Sequence, residues 1–296
     1  MNTPYINTSF LTGFSALVIA KGGNLRELYE SVGLDHELFI EDCFQSHKEK
    51  GLLIPLDKFV YLLEAPAREL DFPDVSMALA RQQDMMILAP LGPMLKPCEN
   101  VLQALEVIVK YLNILVSGCQ VDVQMQRGFM TLSFQLDLVH IEGLTQYQDY
   151  AMASAVNVLH GLIGKSHPIR SCSFLRSERN TQTIAEYSRY YGCPVAFNCK
   201  TLSLTVDDLI LQRNVEHLIK QIKAGVNSAL SSHDDDIVNQ LSKVISFSLA
   251  LGKCNIEDIA SSMNLSQRTL QRQLSEQKTS FSAVLDSVRF KMANQY

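Results

Sequence analysis

Near its C-terminal end the 296-residue chain carries IEDIASSMNLSQRTLQRQLSEQ, residues 256–277, which constrains the fold more than any other stretch. Ile256, Ile259, Ala260 and Met263 recur at helical spacing and define one apolar face. Ala260 is small at the point where a second helix must cross closely. Asn264 follows, and Asn is, after Gly, the residue that best tolerates the left-handed backbone of a tight corner. Ser266 then offers an N-cap oxygen. Beyond it, a second helix turns Leu270 and Leu274 inward and presents Gln267, Arg268, Gln271 and Arg272 on the opposite face. This is the order of a helix-turn-helix.

The polar face has the chemistry to meet double-stranded DNA. Arg pairs bidentately with guanine and Gln with adenine, and a recognition helix uses its first two turns to reach base edges. Arg268 and Arg272 are four apart and lie one above the other. The expected contact set is Ser266, Gln267, Arg268, Gln271, Arg272 and Lys278, with the two arginines on bases and Ser266 and Lys278 mainly on phosphate. A solvated face on an ordinary helical hairpin has the same spacing and is the competing reading.

The longer segment IEDIASSMNLSQRTLQRQLSEQKTSFSAVLDSVRFKMA closely resembles the first helix-turn-helix of AraC/XylS-type transcription regulators. The resemblance rests on the Ile-Ala pair, the SQRTLQRQL helix, the TSF step and the Arg-containing helix ending at Ala293. DNA-binding modules of that family join two such units through a long helix. This sequence reaches VRFKMANQY, within the joining helix, which leaves a fragment and a naturally shortened protein as alternatives.

Net charge is −5, an unexpected sign for a nucleic-acid binder, but its distribution is uneven. Lys253 to Tyr296 holds six Lys and Arg against four Asp and Glu, while the rest holds 20 against 27. DNA contact is therefore expected at the C-terminal module alone. A hydrophobic fraction of 47% with 19% charge describes a globular protein, long enough for two domains. No uninterrupted apolar run is long enough to span a bilayer, and MNTPYINTSF lacks a basic signal-peptide start. Seven cysteines without a CxxC pair suit a reducing cytoplasm, the expected location, and fit neither a disulfide framework nor a zinc finger.

Upstream, Phe10, Leu11, Phe14, Leu17 and Val18 are spaced for one helix, and Leu25, Leu28, Tyr29 and Val32 for another beyond Gly22-Gly23. Pro55 to Leu70 reads as a third helix that Pro66 bends or ends. A short helix begins at Val75, and a Pro- and Gly-rich loop (89–97) leads into a strong one over Val101 to Val116. Val121, Val123 and Met125 then alternate with polar residues, Arg127-Gly128 turns the chain, and Leu132, Phe134, Leu136 and Leu138 alternate again, as in a β-hairpin. A helix over Tyr147 to Ile163 and strands at Ile169 to Leu175, Val195 to Phe197 and Leu202 to Val206 complete the pattern. The fold class is an α+β N-terminal domain, an all-helical front on a small mostly antiparallel sheet, followed by an all-α helix-turn-helix module.

PLGPMLKPCENVLQALEVIVKYLNILVSG and EYSRYYGCPVAFNCKTLSLTVDDL are similar to the arabinose-binding-type N-terminal domain of one branch of AraC-like regulators. That resemblance implies a domain, residues 1–230, that senses a small effector and dimerises; it does not imply the sugar. It departs after Asp207-Asp208-Leu209, where Ile210-Leu211 replaces a common Pro-Leu step. Leu211, Val215, Leu218, Ile222 and Val226 recur at spacings of four, three, four and four. Leu211, Val215, Leu218 and Ile222 are the expected dimer seam, with a helix laid on its own domain as the alternative. SSHDDD (231–236) marks the linker to the module at 235–296, whose first helix spans Ile237 to Leu251.

Enzyme chemistry finds little support. P-loop, GxGxxG and GxSxG patterns are absent, and the seven His form no HxxH or HExxH pattern. Cys193 and Cys199 read as structural thiols, and adjacent carboxylates such as Asp207-Asp208 as helix-start charge. No catalytic residue, cofactor or metal is expected. The effector and its residues are unassigned: Arg176, Tyr147 and His140 are polar groups near predicted element ends, without a pattern that selects them. The expected function is a sequence-specific DNA-binding transcription regulator, with promoter DNA, a small effector and a second copy as partners and RNA polymerase open as a further one. A non-DNA-binding sensor or dimerisation partner, produced by truncation, is the alternative.

Overall fold

The computed structural model describes residues 4–36, 53–95, 97–136, 144–164, 169–215, 255–263 and 265–293, together with 237–238, 241–242 and 245. Two compact units divide the chain, Thr3–Ile222 and Lys223–Tyr296. The fold is α+β, and no helix of the described residues is long and apolar enough to cross a membrane.

The first unit is built around the helix Thr145–Ile163, which buries residues on nearly every side. A helix with so little polar face must be covered all round. The helices Leu56–Glu69 and Val75–Arg81 pack against it, and so does the sheet. Phe59 meets Tyr147 and Tyr150 edge-on, with ring centroids 6.2 and 5.4 Å apart, the arrangement that ring quadrupoles favour. The buried Tyr150 hydroxyl lies 2.7 Å from Gln83 Oε1 and 2.9 Å from Phe10 O. Gln83 Nε2 donates to the carbonyls of Phe10 and Thr12. These bonds satisfy polar groups that would be costly if buried alone.

Two sheets are present among the described residues. β1 (Tyr5–Asn7) pairs antiparallel with β2 (Leu53–Pro55). The larger sheet comprises β3 (Cys119–Gln126), β4 (Phe129–Leu136), β5 (Ser171–Ser173), β6 (Val195–Ala196) and β7 (Leu202–Asp207), in the order β3-β4-β7-β5-β6. Every neighbouring pair in it is antiparallel except β5 with β6. The β3–β4 hairpin matches its sequence signature. Arg127 and Gly128 form a two-residue loop between Gln126 and Phe129, and Gly128 takes the positive φ (+91°) that such a turn demands.

Several expectations are corrected. The front of the domain is not all-helical, because β1 and β2 lie within it. Pro66 does not end its helix, which runs on to Glu69. The helix Thr181–Tyr191, capped by Asn180, was not foreseen. Leu211 and Val215 do not open a helical seam: a 3-10 turn, Asp208–Ile210, precedes them and the chain then runs beside residues 99–102. Leu102 N–H donates to Leu211 O at 2.9 Å, Val101 N–H to Arg213 O at 3.0 Å and Val215 N–H to Glu99 O at 3.2 Å. Leu211 and Val215 are buried in the core of their own unit. Leu218, Ile222 and Val226 lie outside the described residues.

In the second unit, Leu241, Ile245, Ile259, Ala260, Leu270, Leu274, Val284 and Val288 form one buried cluster. Residues 237, 238, 241, 242 and 245 are helical. The rest of the expected Ile237 to Leu251 helix lies outside the described residues.

Candidate nucleic-acid interface

The second unit's geometry follows from its caps. The helix Ile256–Ser262 buries Ile259 and Ala260. Leu265 N–H reaches back to Ala260 O at 2.9 Å, so the chain turns sharply just past the helix end. Asn264, the expected corner residue, lies outside the described residues. Ser266 caps the next helix, Gln267–Glu276, in extended backbone (φ −75°, ψ 152°), and its Oγ accepts from Thr269 N–H at 3.1 Å. The same Oγ lies 2.8 Å from Thr269 Oγ1.

Leu270 and Leu274 fall on the buried face, while Arg268, Gln271 and Arg272 are exposed and Gln267 is half-buried. Arg272 Nε stands 3.8 Å from Glu276 Oε1, with both side chains well exposed. A pair at that distance and exposure contributes little and is easily exchanged for a phosphate or base. The helix ends in a paired closure, with Lys278 N–H on Ser275 O and Thr279 N–H on Leu274 O, both at 3.0 Å. Lys278 stands in left-handed backbone, φ +57°, where Gly is the usual occupant. Ser280 Oγ then accepts from Ala283 N–H at 3.2 Å and starts the helix Phe281–Ala293, whose Val284 and Val288 close the cluster. One solvent-facing strip of guanidinium and amide groups therefore lies on a helix whose opposite face is anchored in a core.

The first unit's most notable polar group is buried. Asp149, on the Thr145–Ile163 helix, is 1% exposed and faces Arg176, with Nη1 2.9 Å from Oδ1 and Nη2 3.3 Å from Oδ2. Tyr187 OH donates to Asp149 Oδ2, and Arg176 Nη2 donates to Tyr187 OH at 2.7 Å. The Arg176 guanidinium lies about 5 Å from the ring centroids of Phe174, Tyr187 and Phe197. Burial pushes the Asp149 carboxyl up to about 6, against the pull of Arg176 and Tyr187, which favour its charged form. Burial likewise raises the Glu64 carboxyl, which accepts from Gln146 N–H at 2.7 Å. Arg176 and Tyr147, weighed above as anchors, are thus engaged within their own core, and His140 lies outside the described residues.

A groove of about 340 Å³ lies beside Val18, Gly23, Leu28 and Leu70, with Glu27 and Glu69 among its polar groups. Asn24 donates to Glu27 and Arg68 to Glu69, so both carboxylates already have partners. Among the described residues no group of three or more His, Cys, Asp and Glu is placed to hold a metal.

Residues 22–215 match the arabinose-binding domain of AraC transcription regulators, an N-terminal domain. That span is most of the first unit. Over 301 aligned positions the chain is 26% identical to the HTH-type transcriptional regulator VirS of Mycobacterium tuberculosis, in strains CDC 1551 / Oshkosh and ATCC 25618 / H37Rv. The alignment covers 98% of this chain and 84% of VirS. Among solved structures, the transcriptional regulator CdpR from Pseudomonas aeruginosa is similar at 16% identity and a TM-score of 0.45, covering 79% of this chain and 77% of that one. The class is that of a transcription regulator. The chain belongs to the AraC-type regulators that carry an arabinose-binding-type N-terminal domain.

Proposed function

We propose that the chain is a sequence-specific DNA-binding regulator whose second unit reads promoter DNA and whose first unit senses a small effector and self-associates. The observation that carries the reading is the exposed Arg268, Gln271 and Arg272 strip on a helix anchored from behind by Leu270 and Leu274. A major groove admits an α-helix, and guanidinium with amide is the donor set that distinguishes G and A edges. Arg268 and Arg272 read bases; the free N–H groups at the helix start and the Lys278 ammonium meet phosphates.

Family membership supports effector sensing and a homodimer in the first unit. Of the residues first expected at the dimer contact, Leu218 and Ile222 remain candidates, whereas Leu211 and Val215 are occupied in the core. The test is selection of duplexes from a randomised pool by the full chain. Enrichment of a defined motif, lost in the Arg268→Ala, Arg272→Ala double variant, is the expected result. A pool that stays random while the protein binds it would leave only non-specific charge attraction.

A further inference from the structure

β3 ends the five-stranded sheet, and among the described residues no strand pairs with its outer side. The two-residue loop makes Gln126–Phe129 the narrow, doubly bonded pair of the hairpin. Pairing alternates from there, so Gln120, Asp122 and Gln124 bond inward to β4. Val121, Val123 and Met125 aim their N–H and C=O groups out of the sheet. The strand CQVDVQMQ carries little of the usual protection of an edge: it has no Pro, no Lys and no bulge in its continuous register with β4, and Asp122 is its one charge. Met125 is 52% exposed.

We propose that two copies of this chain join edge to edge through β3, antiparallel about a two-fold axis at Val123, to make one continuous sheet. The sequence pairs with itself over the greatest length in that register without opposing like charges. About Val123, Val121 faces Met125 of the second copy, Asp122 faces Gln124 and Gln120 faces Gln126. Each apolar side chain meets an apolar one, and the lone carboxylate, which accepts from Gln124 Nε2 of its own chain at 2.8 Å, meets a second amide across the axis. All the opposed odd-numbered residues present outward backbone groups, so the ladder closes without a slip. Moving the axis to Asp122 opposes two carboxylates, and moving it to Gln124 shortens the paired stretch from residues 120–126 to residues 122–126. A one-residue shift puts inward and outward faces together. The occupant is a second copy because the complementarity is with itself.

The proposal deepens the self-association in the proposed function and is independent of DNA reading. The test is sedimentation equilibrium of the full chain without DNA, from low to high micromolar. Gln124 is exposed and faces away from the core, so its variants lose only a surface hydrogen bond to Asp122 of the same chain and leave the fold intact. Gln124→Lys, set against Asp122 of the second copy twice by symmetry, tightens the dimer roughly fivefold to tenfold, and Gln124→Glu loosens it by a similar factor. Val123→Pro, which removes an outward N–H at an edge that tolerates Pro, abolishes the dimer. Amide exchange at Val121, Val123 and Met125 slows as concentration rises, while Gln120, Asp122 and Gln124 are unchanged. A dimer whose constant ignores both Gln124 variants, or whose odd-numbered amides show no concentration dependence, overturns the β3 edge and leaves self-association standing. A monomer throughout overturns both.

Discussion

Arg176 Nη1 stands 2.9 Å from Asp149 Oδ1, and the carboxylate it faces is almost wholly buried. This contact joins the long helix to the β5 end of the sheet and, through Tyr187, to the helix Thr181–Tyr191. Removing one member leaves the other's charge uncompensated, so Arg176→Met is expected to cost about 3 kcal/mol of unfolding free energy in urea.

The same contact makes stability depend on pH in a stated direction. The folded Asp149 carboxyl is raised to about 6 from its ordinary 3.8, so the native state holds its proton more tightly than the unfolded chain does. Its contribution is full below 3.8 and is lost as pH rises through about 6. The stability gap between the unaltered chain and Asp149→Asn, a variant that cannot titrate there, should therefore shrink between those limits. A gap that widens as pH rises would show that Arg176 outweighs burial.

Ser266→Ala removes the acceptor for Thr269 N–H and leaves the exposed strip untouched. The expected cost is about 1 kcal/mol of module stability, read by thermal melting, with the DNA motif unchanged. Altered base preference would instead give Ser266 a direct contact.

Lys278 separates conformation from charge. Lys278→Gly relieves the left-handed backbone at φ +57° and should stabilise the module by about 1 kcal/mol. The same change removes a cation beside the helix end, so binding should weaken on all sequences and the salt slope should fall by about one. More stable protein with poorer binding is the expected pair of results, from melting and a salt titration.

The helix-turn-helix was legible because its apolar residues keep one period over four turns and its breaks fall at Ser266 and just past Met263. The β3–β4 hairpin was legible for a similar reason: alternation on both sides of Arg127-Gly128. β1 and β2 were not, being three residues each and held by partners far along the chain. The helix Thr181–Tyr191 buries only Tyr187 and Tyr191, too few apolar positions to set a period. Leu211 and Val215 misled because a spacing of four also occurs by chance in a chain that is turning and then extended. Asp149 and Arg176 are 27 residues apart, and only packing brings them together.

Base reading by the helix Gln267–Glu276 is tested most directly by Arg268→Ala and Arg272→Ala in the full chain. Each variant is titrated against its selected duplex and a scrambled one at two salt concentrations. Each should lose roughly 1–3 kcal/mol on the selected duplex, far less on the scrambled one, and relax preference at one or two base pairs. Equal losses on both duplexes would make the arginines phosphate clamps, and no loss on either would contradict the recognition-helix assignment itself.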